Sequence, residues 1–148
     1  MRILFVNASP HKSGHTVKLA QSLLEGQEYE TLHLVDYKIY SYGQKYEDDQ
    51  WQEVIDKLYA ADVVVMGSPL YWHNICGQLR NLLDRCYGPL KFGSFSGKQL
   101  YFLLQGGAPE PWQLEASDFT MARFAELYGF EYKGMINTLE QAKSAKLG

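Results

Sequence analysis

The stretch Arg2-Ile3-Leu4-Phe5-Val6-Asn7-Ala8-Ser9-Pro10-His11-Lys12-Ser13-Gly14-His15-Thr16 runs from an unbroken apolar segment through a polar turn into a helical pattern. Arg2 to Asn7 lacks the polar alternation of a half-exposed strand, which predicts a strand covered on both faces. From Thr16 to Gly26, Val17, Ala20 and Leu24 recur at helical spacing. The turn between them carries hydroxyls, imidazoles, one ammonium and one glycine. A strand that feeds a helix in this way surrounds the turn with free backbone N–H groups and the positive end of the helix dipole, a setting suited to a phosphate. Ser9, Ser13 and Thr16 offer hydroxyl donors; His11, Lys12 and His15 offer donors or positive charge; Gly14 lets the backbone come close. Taken alone, the same loop also fits a serine or threonine that merely caps the helix.

Spacing excludes two familiar phosphate loops, and composition a third. G-x-x-x-x-G-K-[ST] is absent, so this is not a nucleoside-triphosphate loop, and G-x-G-x-x-G is absent, so it is not a dinucleotide fingerprint. The loop has no cysteine, which removes a thiol-based phosphatase. A phosphomonoester that is bound but not cleaved fits best.

Further along, strand and helix patterns alternate without repeat, low-complexity tract or linker. Tyr29 to Asp36 reads as a second strand. Asp48 and Asp49 are placed to cap a helix whose stripe is Trp51, Val54, Ile55, Leu58 and Tyr59. Val63 to Met66 is a third, fully buried strand. A helix with Cys76, Leu79, Leu82, Leu83 and Cys86 on one side follows, stopped by Gly88-Pro89. Gln99 to Leu104 is a fourth strand, Trp112 to Tyr128 a helix ending at Gly129, and Glu131 to Asn137 a last strand. The tail Leu139 to Gly148 has room for two or three helical turns. Five strands alternating with helices predict an α/β domain over 1–148, its parallel sheet covered on both faces. The five-strand doubly wound order is 2-1-3-4-5, with its switch point between strands one and three. A ligand is therefore expected over the loops that begin near Ala8 and Ser68.

The second of these, Gly67-Ser68-Pro69-Leu70-Tyr71-Trp72-His73-Asn74, is expected as a loop, and its Tyr71 and Trp72 offer flat faces to a ring. Half-buried loop aromatics explain the pair equally well in isolation. Gln105-Gly106-Gly107-Ala108-Pro109 follows the fourth strand on the same edge; its glycines suit close approach of a ligand, or simply a tight turn.

The 148 residues suffice for one core. Hydrophobic residues make up 46% and charged residues 21%, an ordinary globular balance. A net charge of −3 argues against a broad nucleic-acid footprint and falls short of a strongly acidic electron carrier. Aromatics reach 14%, eleven of them Tyr, which suits a ring-stacking pocket or a large core. Ile3 to Val6 is too short for a signal-peptide core, and no run approaches the roughly 18 apolar residues of a membrane span. The expected location is the cytoplasm. Cys76 and Cys86, about 15 Å apart if both lie on one helix, have no metal-ligand spacing and are expected as buried thiols.

Together, Asn-Ala-Ser-Pro-His-Lys-Ser-Gly-His-Thr at 7–16, Ser-Pro-Leu-Tyr-Trp at 68–72, Leu-Arg-Asn-Leu-Leu-Asp-Arg at 79–85, Ser96-Gly97-Lys98 and Gly106-Gly107 resemble the flavodoxin-like NAD(P)H-dependent FMN reductase family. The resemblance implies a flavodoxin-like three-layer αβα sandwich. It implies FMN with its phosphate on Ser9, His11, Ser13, His15 and Thr16, around Gly14. Ring contacts would come from Pro69, Leu70, Tyr71 and Trp72, and pyrimidine-side contacts from Gln105, Gly106 and Gly107. NAD(P)H would be the co-substrate, and a quinone, flavin, nitro or azo aromatic, or protein the acceptor. His11 stands where the family often has Arg or Lys, and His15 where it often has Asn, so phosphate affinity is expected to rise as either imidazole charges. Some relatives carry iron–sulfur cysteines after the second strand. Asp36 to Gln50 here has Tyr37, Tyr40, Tyr42 and Tyr46 and no cysteine, so no cluster is expected. The short tail leaves one sheet face lightly covered, which suggests a homodimer. His73 is read as an exposed loop histidine, and no residue is singled out as catalytic. A flavodoxin-type one-electron carrier and a flavin-free binding or sensor protein are the alternatives.

Overall fold

The computed structural model describes residues 1–147. Its elements, in chain order, are β1 (Ile3–Asn7), α1 (His15–Leu23), β2 (Glu30–His33), α2 (Trp51–Ala60), β3 (Val63–Tyr71), β4 (Asn74–Ile75), α3 (Gly77–Cys86), β5 (Gln99–Gln105), α4 (Pro111–Tyr128), β6 (Glu131–Ile136) and α5 (Leu139–Ser144). The main sheet has the order β2-β1-β3-β5-β6, with every neighbouring pair parallel. This is the expected five-strand order once the short extra strand β4 is set aside.

The central strands are buried on both faces because no polar residue interrupts them. Ile3 to Asn7 and Val63 to Ser68 are buried throughout. Alternate residues serve two cores. Leu4, Val6, Val64 and Met66 pack with Trp51, Val54, Ile55 and Leu58 of α2, Leu79 and Leu82 of α3, and Met121 and Phe124 of α4. Ile3, Phe5, Val63 and Val65 pack with Leu19, Ala20 and Leu23 of α1 and Ala142 of α5. Three layers result, and the carboxyl ends of the five parallel strands open on one edge.

Several boundaries move. β2 stops at His33, and Leu34–Asp36 turns into one 3-10 turn. Only Asp49 serves the start of α2, accepting the Trp51 N–H at 2.9 Å, whereas Asp48 is drawn to Lys38 and Tyr40. Tyr59, at the end of the predicted stripe, is exposed. Gly129 does end α4, at φ 89° in the left-handed region. α5 has six residues, under two turns. Cys76 and Cys86 are buried free thiols, and burial pushes the Cys86 thiol up to about 12.

The main correction concerns Gly67–Asn74. This segment is not a loop: β3 continues through Ser68 and Pro69, which pair with Leu104 and Gln105 of β5. The chain then folds back as a hairpin, with Leu70 opposite Ile75 and Tyr71 opposite Asn74. Trp72 and His73 form its two-residue turn at φ 46° and 71°. Such turns ordinarily take Asn-Gly, because both central residues need positive φ. Without that signal the hairpin is invisible in the sequence.

Candidate functional site

The loop after β1 is organised from below by one side chain. Asn7 is fully buried; its Oδ1 accepts the Ser9 N–H at 3.1 Å, and its Nδ2 donates to the His11 carbonyl at 3.2 Å. The Ser9 hydroxyl accepts the His11 N–H at 3.1 Å and keeps its own proton to donate. Ala8 N–H bonds to the Gly67 carbonyl at 2.8 Å, tying this loop to β3. Ser9 and Thr16 are buried, whereas His11, Ser13 and His15 are exposed. Lys12 is turned aside, its ammonium 2.8 Å from Asp36, so its charge is partly committed.

Gly14 is the N-cap of α1, and no side chain caps the helix. The simple capping alternative therefore fails at this position. By helix geometry the N–H groups of His15, Thr16 and Val17 have no partner within the helix. Uncapped donors at a helix start, next to the Ser13 and Thr16 side chains, are the donor set a phosphomonoester requires.

Across the switch point stands the β3–β4 hairpin. Trp72 is 92% exposed and Tyr71 is half exposed, so both aromatic faces are open. The hairpin is pinned to α4 by Asn74, whose Nδ2 donates to Thr120 Oγ1 at 3.2 Å, and by His73. Gln113 Oε1 takes the Glu110 N–H at 2.8 Å in a capping box, which turns Gln113 Nε2 towards His73 Nδ1 at 2.8 Å. An amide nitrogen only donates, so Nδ1 accepts and His73 carries its proton on Nε2. The His73 ring also lies 4.8 Å from that of Trp112. Glu110 is not among the Ser, Thr, Asp or Asn caps that announce a capping box in sequence, and the bond from Gln113 to His73 spans 40 residues, so neither is legible there.

The two glycines after β5 differ in purpose. A Cβ on Gly106 would meet Leu70 Cδ2 at 3.2 Å, so this glycine makes room for the Leu70 side chain. Around Gly107 there is open space, which leaves its backbone free to be approached. A cavity of about 160 Å³ beside them is lined by His15, Lys18, Gln105, Gly106 and Asn137. The larger hollow of about 530 Å³ lies at the opposite, amino edge of β1 and β2, away from these loops. Among the described residues no group of three or more His, Cys, Asp or Glu is placed to hold a metal ion, and no helix is long and apolar enough to cross a membrane.

A doubly wound parallel sheet with a polar strand-to-helix loop at its switch point defines the flavodoxin-like class. The model of the NADPH-dependent FMN reductase family matches residues 1–113, and the chain belongs to that family. An iron–sulfur flavoprotein of Archaeoglobus fulgidus is 34% identical over 98 residues, covering 57% of this chain and 48% of that protein. The chain thus spans about half the length of the curated relatives it matches. Among solved structures, the Trp repressor binding protein from Bacillus subtilis superposes with a TM-score of 0.81 at 20% identity, over 99% of this chain and 100% of that one. A FMN-dependent NADH-azoreductase from Bacillus anthracis, solved with FMN, gives a TM-score of 0.71 at 15% identity over 97% and 93%. At these identities the likeness to both structures is one of fold.

Proposed function

We propose that this chain is, as a single domain, an FMN-dependent NAD(P)H oxidoreductase. The observation that carries the reading is the uncapped start of α1, set at the switch point opposite the exposed Tyr71–Trp72 hairpin. In this reading the phosphate is held by the first-turn N–H groups of α1 with the Ser9, Ser13 and Thr16 hydroxyls, and His11 and His15 add donors at its exposed side. Gly14 keeps that side of the loop low. Pro69, Leu70, Tyr71 and Trp72 bound the ring, and Gln105 with the Gly106 and Gly107 backbone meets its pyrimidine edge.

Held by these residues, FMN would supply the two-electron redox chemistry between the nicotinamide and the acceptor. The balance is NAD(P)H, one proton and an oxidised acceptor in, NAD(P)⁺ and the two-electron-reduced acceptor out. The protein's part is to hold the cofactor, orient it and stabilise charge at its pyrimidine edge through backbone N–H groups. The acceptor is a small flat molecule such as a quinone, flavin, nitro or azo aromatic.

A homodimer fits the unpartnered apolar groove of about 470 Å³ between α3 and α4, lined by Leu83, Tyr87, Phe92, Phe124 and Leu127. This is not the face under the short α5, where the sequence suggested cover was missing. Two unbridged thiols suit a reducing cytoplasm.

The test is to add FMN to purified protein, remove the excess and record the visible spectrum, then mix with NADPH and, separately, with NADH under anaerobic stopped flow. Flavin bands that bleach on mixing support the reading. Protein that stays colourless refutes FMN binding, and a coloured protein that does not bleach refutes the reductase.

A further inference from the structure

Asn7 and His33 form the last pair of the β1–β2 ladder, and their side chains meet beside the loop after β1. Asn7 Nδ2 lies 3.0 Å from His33 Nδ1. The Ser9 N–H is a donor, so the Asn7 atom it reaches is the oxygen. That leaves the amide nitrogen to face both the His11 carbonyl and His33. With the nitrogen donating, His33 Nδ1 accepts and the ring proton sits on Nε2. One buried amide thus holds the loop at two points, Ser9 N–H and His11 C=O, and its remaining proton goes to a half-buried histidine on a different strand.

The arrangement matters because Asn7 is wholly buried. Without an acceptor at position 33 the amide would keep an unpaired N–H, and turning over to relieve it would set NH₂ against the Ser9 N–H. We infer that His33 is a positioning residue for the phosphate loop: by taking the remaining proton of the Asn7 amide it satisfies that buried group and holds it in place, and so fixes the placing of Ser9 and His11 against the phosphate. In this arrangement His33 acts through Asn7. The inference rests on the reading that this loop holds the FMN phosphate.

Riboflavin shares the ring of FMN and lacks the phosphate, so the ratio of the two affinities isolates the loop. Wild type, His33→Leu and His33→Asn are titrated with each ligand by quenching of flavin fluorescence. Losing one hydrogen bond's worth of order, about 1 kcal/mol, corresponds to roughly a fivefold drop in the FMN-to-riboflavin ratio for His33→Leu. An Asn side chain carries Oδ1 at the same bond distance from Cα as the imidazole Nδ1, so His33→Asn restores the ratio to within about twofold of wild type. Amide hydrogen exchange of flavin-free protein reads the loop directly: the Ser9 N–H exchanges faster in His33→Leu and regains protection in His33→Asn. A ratio that survives His33→Leu, or an equal loss for both ligands, overturns the inference while leaving the phosphate reading intact. Wild-type protein that binds FMN no more tightly than riboflavin overturns the phosphate reading, and the inference with it. If His33→Leu does not fold, His33→Gln decides instead, because its acceptor lies one bond too far out; a ratio equal to that of His33→Asn counts against the inference.

Discussion

The Cγ2 methyl of Thr16 occupies the space that a Cβ on residue 67 would need, 2.6 Å from where that atom would stand. Phe5 Cε1 closes the same space at 3.0 Å. Gly67 sits in the middle of β3, paired with Asn7 of β1 and Leu103 of β5, so neither strand can withdraw. The absent side chain is what lets the first turn of α1 lie directly on the sheet.

Gly67→Ala is therefore expected to destabilise the fold by about 1–3 kcal/mol, the usual range for overpacking a filled core. It should also weaken FMN binding, because the yielding atom belongs to Thr16. Gly77→Ala is the control: nothing lies within 4 Å of its Cβ position, and it begins α3. Urea midpoints of the two variants check the claim, with Gly77→Ala expected at or slightly above wild type.

Thr16→Val separates the two roles of Thr16. Valine keeps a methyl against Gly67 and loses the hydroxyl. Combined with Ser13→Ala, it should weaken FMN by roughly 1–3 kcal/mol for each hydrogen bond lost to the charged phosphate. Riboflavin affinity should change little. Unaltered FMN dissociation constants in flavin-fluorescence titrations would remove both hydroxyls from the site.

The Trp72–His73 turn predicts a conflict between stability and function. Two non-glycine residues at positive φ each carry backbone strain. Replacing Trp72 and His73 together by Asn and Gly supplies the preferred hairpin turn and should raise stability by about 1 kcal/mol, after allowance for the lost His73–Gln113 bond. The same change removes the exposed indole. Bound-flavin absorbance and reduction potential should therefore shift while the melting temperature rises. A rise in stability with an unaltered flavin spectrum would return Trp72 to the role of an ordinary surface aromatic.

Strand order and the switch point were legible because uninterrupted apolar runs such as Val63–Met66 admit few alternatives in an alternating α/β chain. The loop from Ser9 to Thr16 was legible for a similar reason: its residue types are local and its neighbours along the chain are unambiguous. What stayed hidden is whatever depends on distant partners. Asn7 looks like the polar end of a strand, and the group that meets its remaining amide proton, His33, lies 26 residues away. Lys12 counted as a loop cation until Asp36 claimed it. The β3–β4 hairpin stayed hidden because Trp-His carries none of the usual signs of a left-handed turn, and the run Ser68–Tyr71 contains a proline, which argues against a strand. That proline is tolerated at the far end of β3, beside Gln105.

Arg85 and Asp49 predict how the fold responds to acid. The Arg85 guanidinium grips both Asp49 oxygens, at 2.5 and 3.2 Å, and also donates to the Tyr40 carbonyl at 3.0 Å. Burial alone would raise the Asp49 carboxyl; Arg85 and the N–H groups of Trp51 and Tyr40 outweigh it and hold the group below the ordinary carboxylate range. A depressed carboxylate stabilises the folded state fully above its unfolded value, near 3.8, and that contribution is lost as pH falls through the lower folded value. Asp49→Asn keeps an oxygen for the Trp51 N–H and removes the charge. With side-chain exposures of 18% for Arg85 and 15% for Asp49, the cost should fall between that of an exposed and a fully buried pair, about 2 kcal/mol. Urea unfolding of both proteins should give a constant difference from pH 8 down to about 5, narrowing below about pH 4 as the wild-type carboxylate takes up its proton. A difference that stays constant down to pH 2 would mean that Asp49 acts through packing and not through its charge.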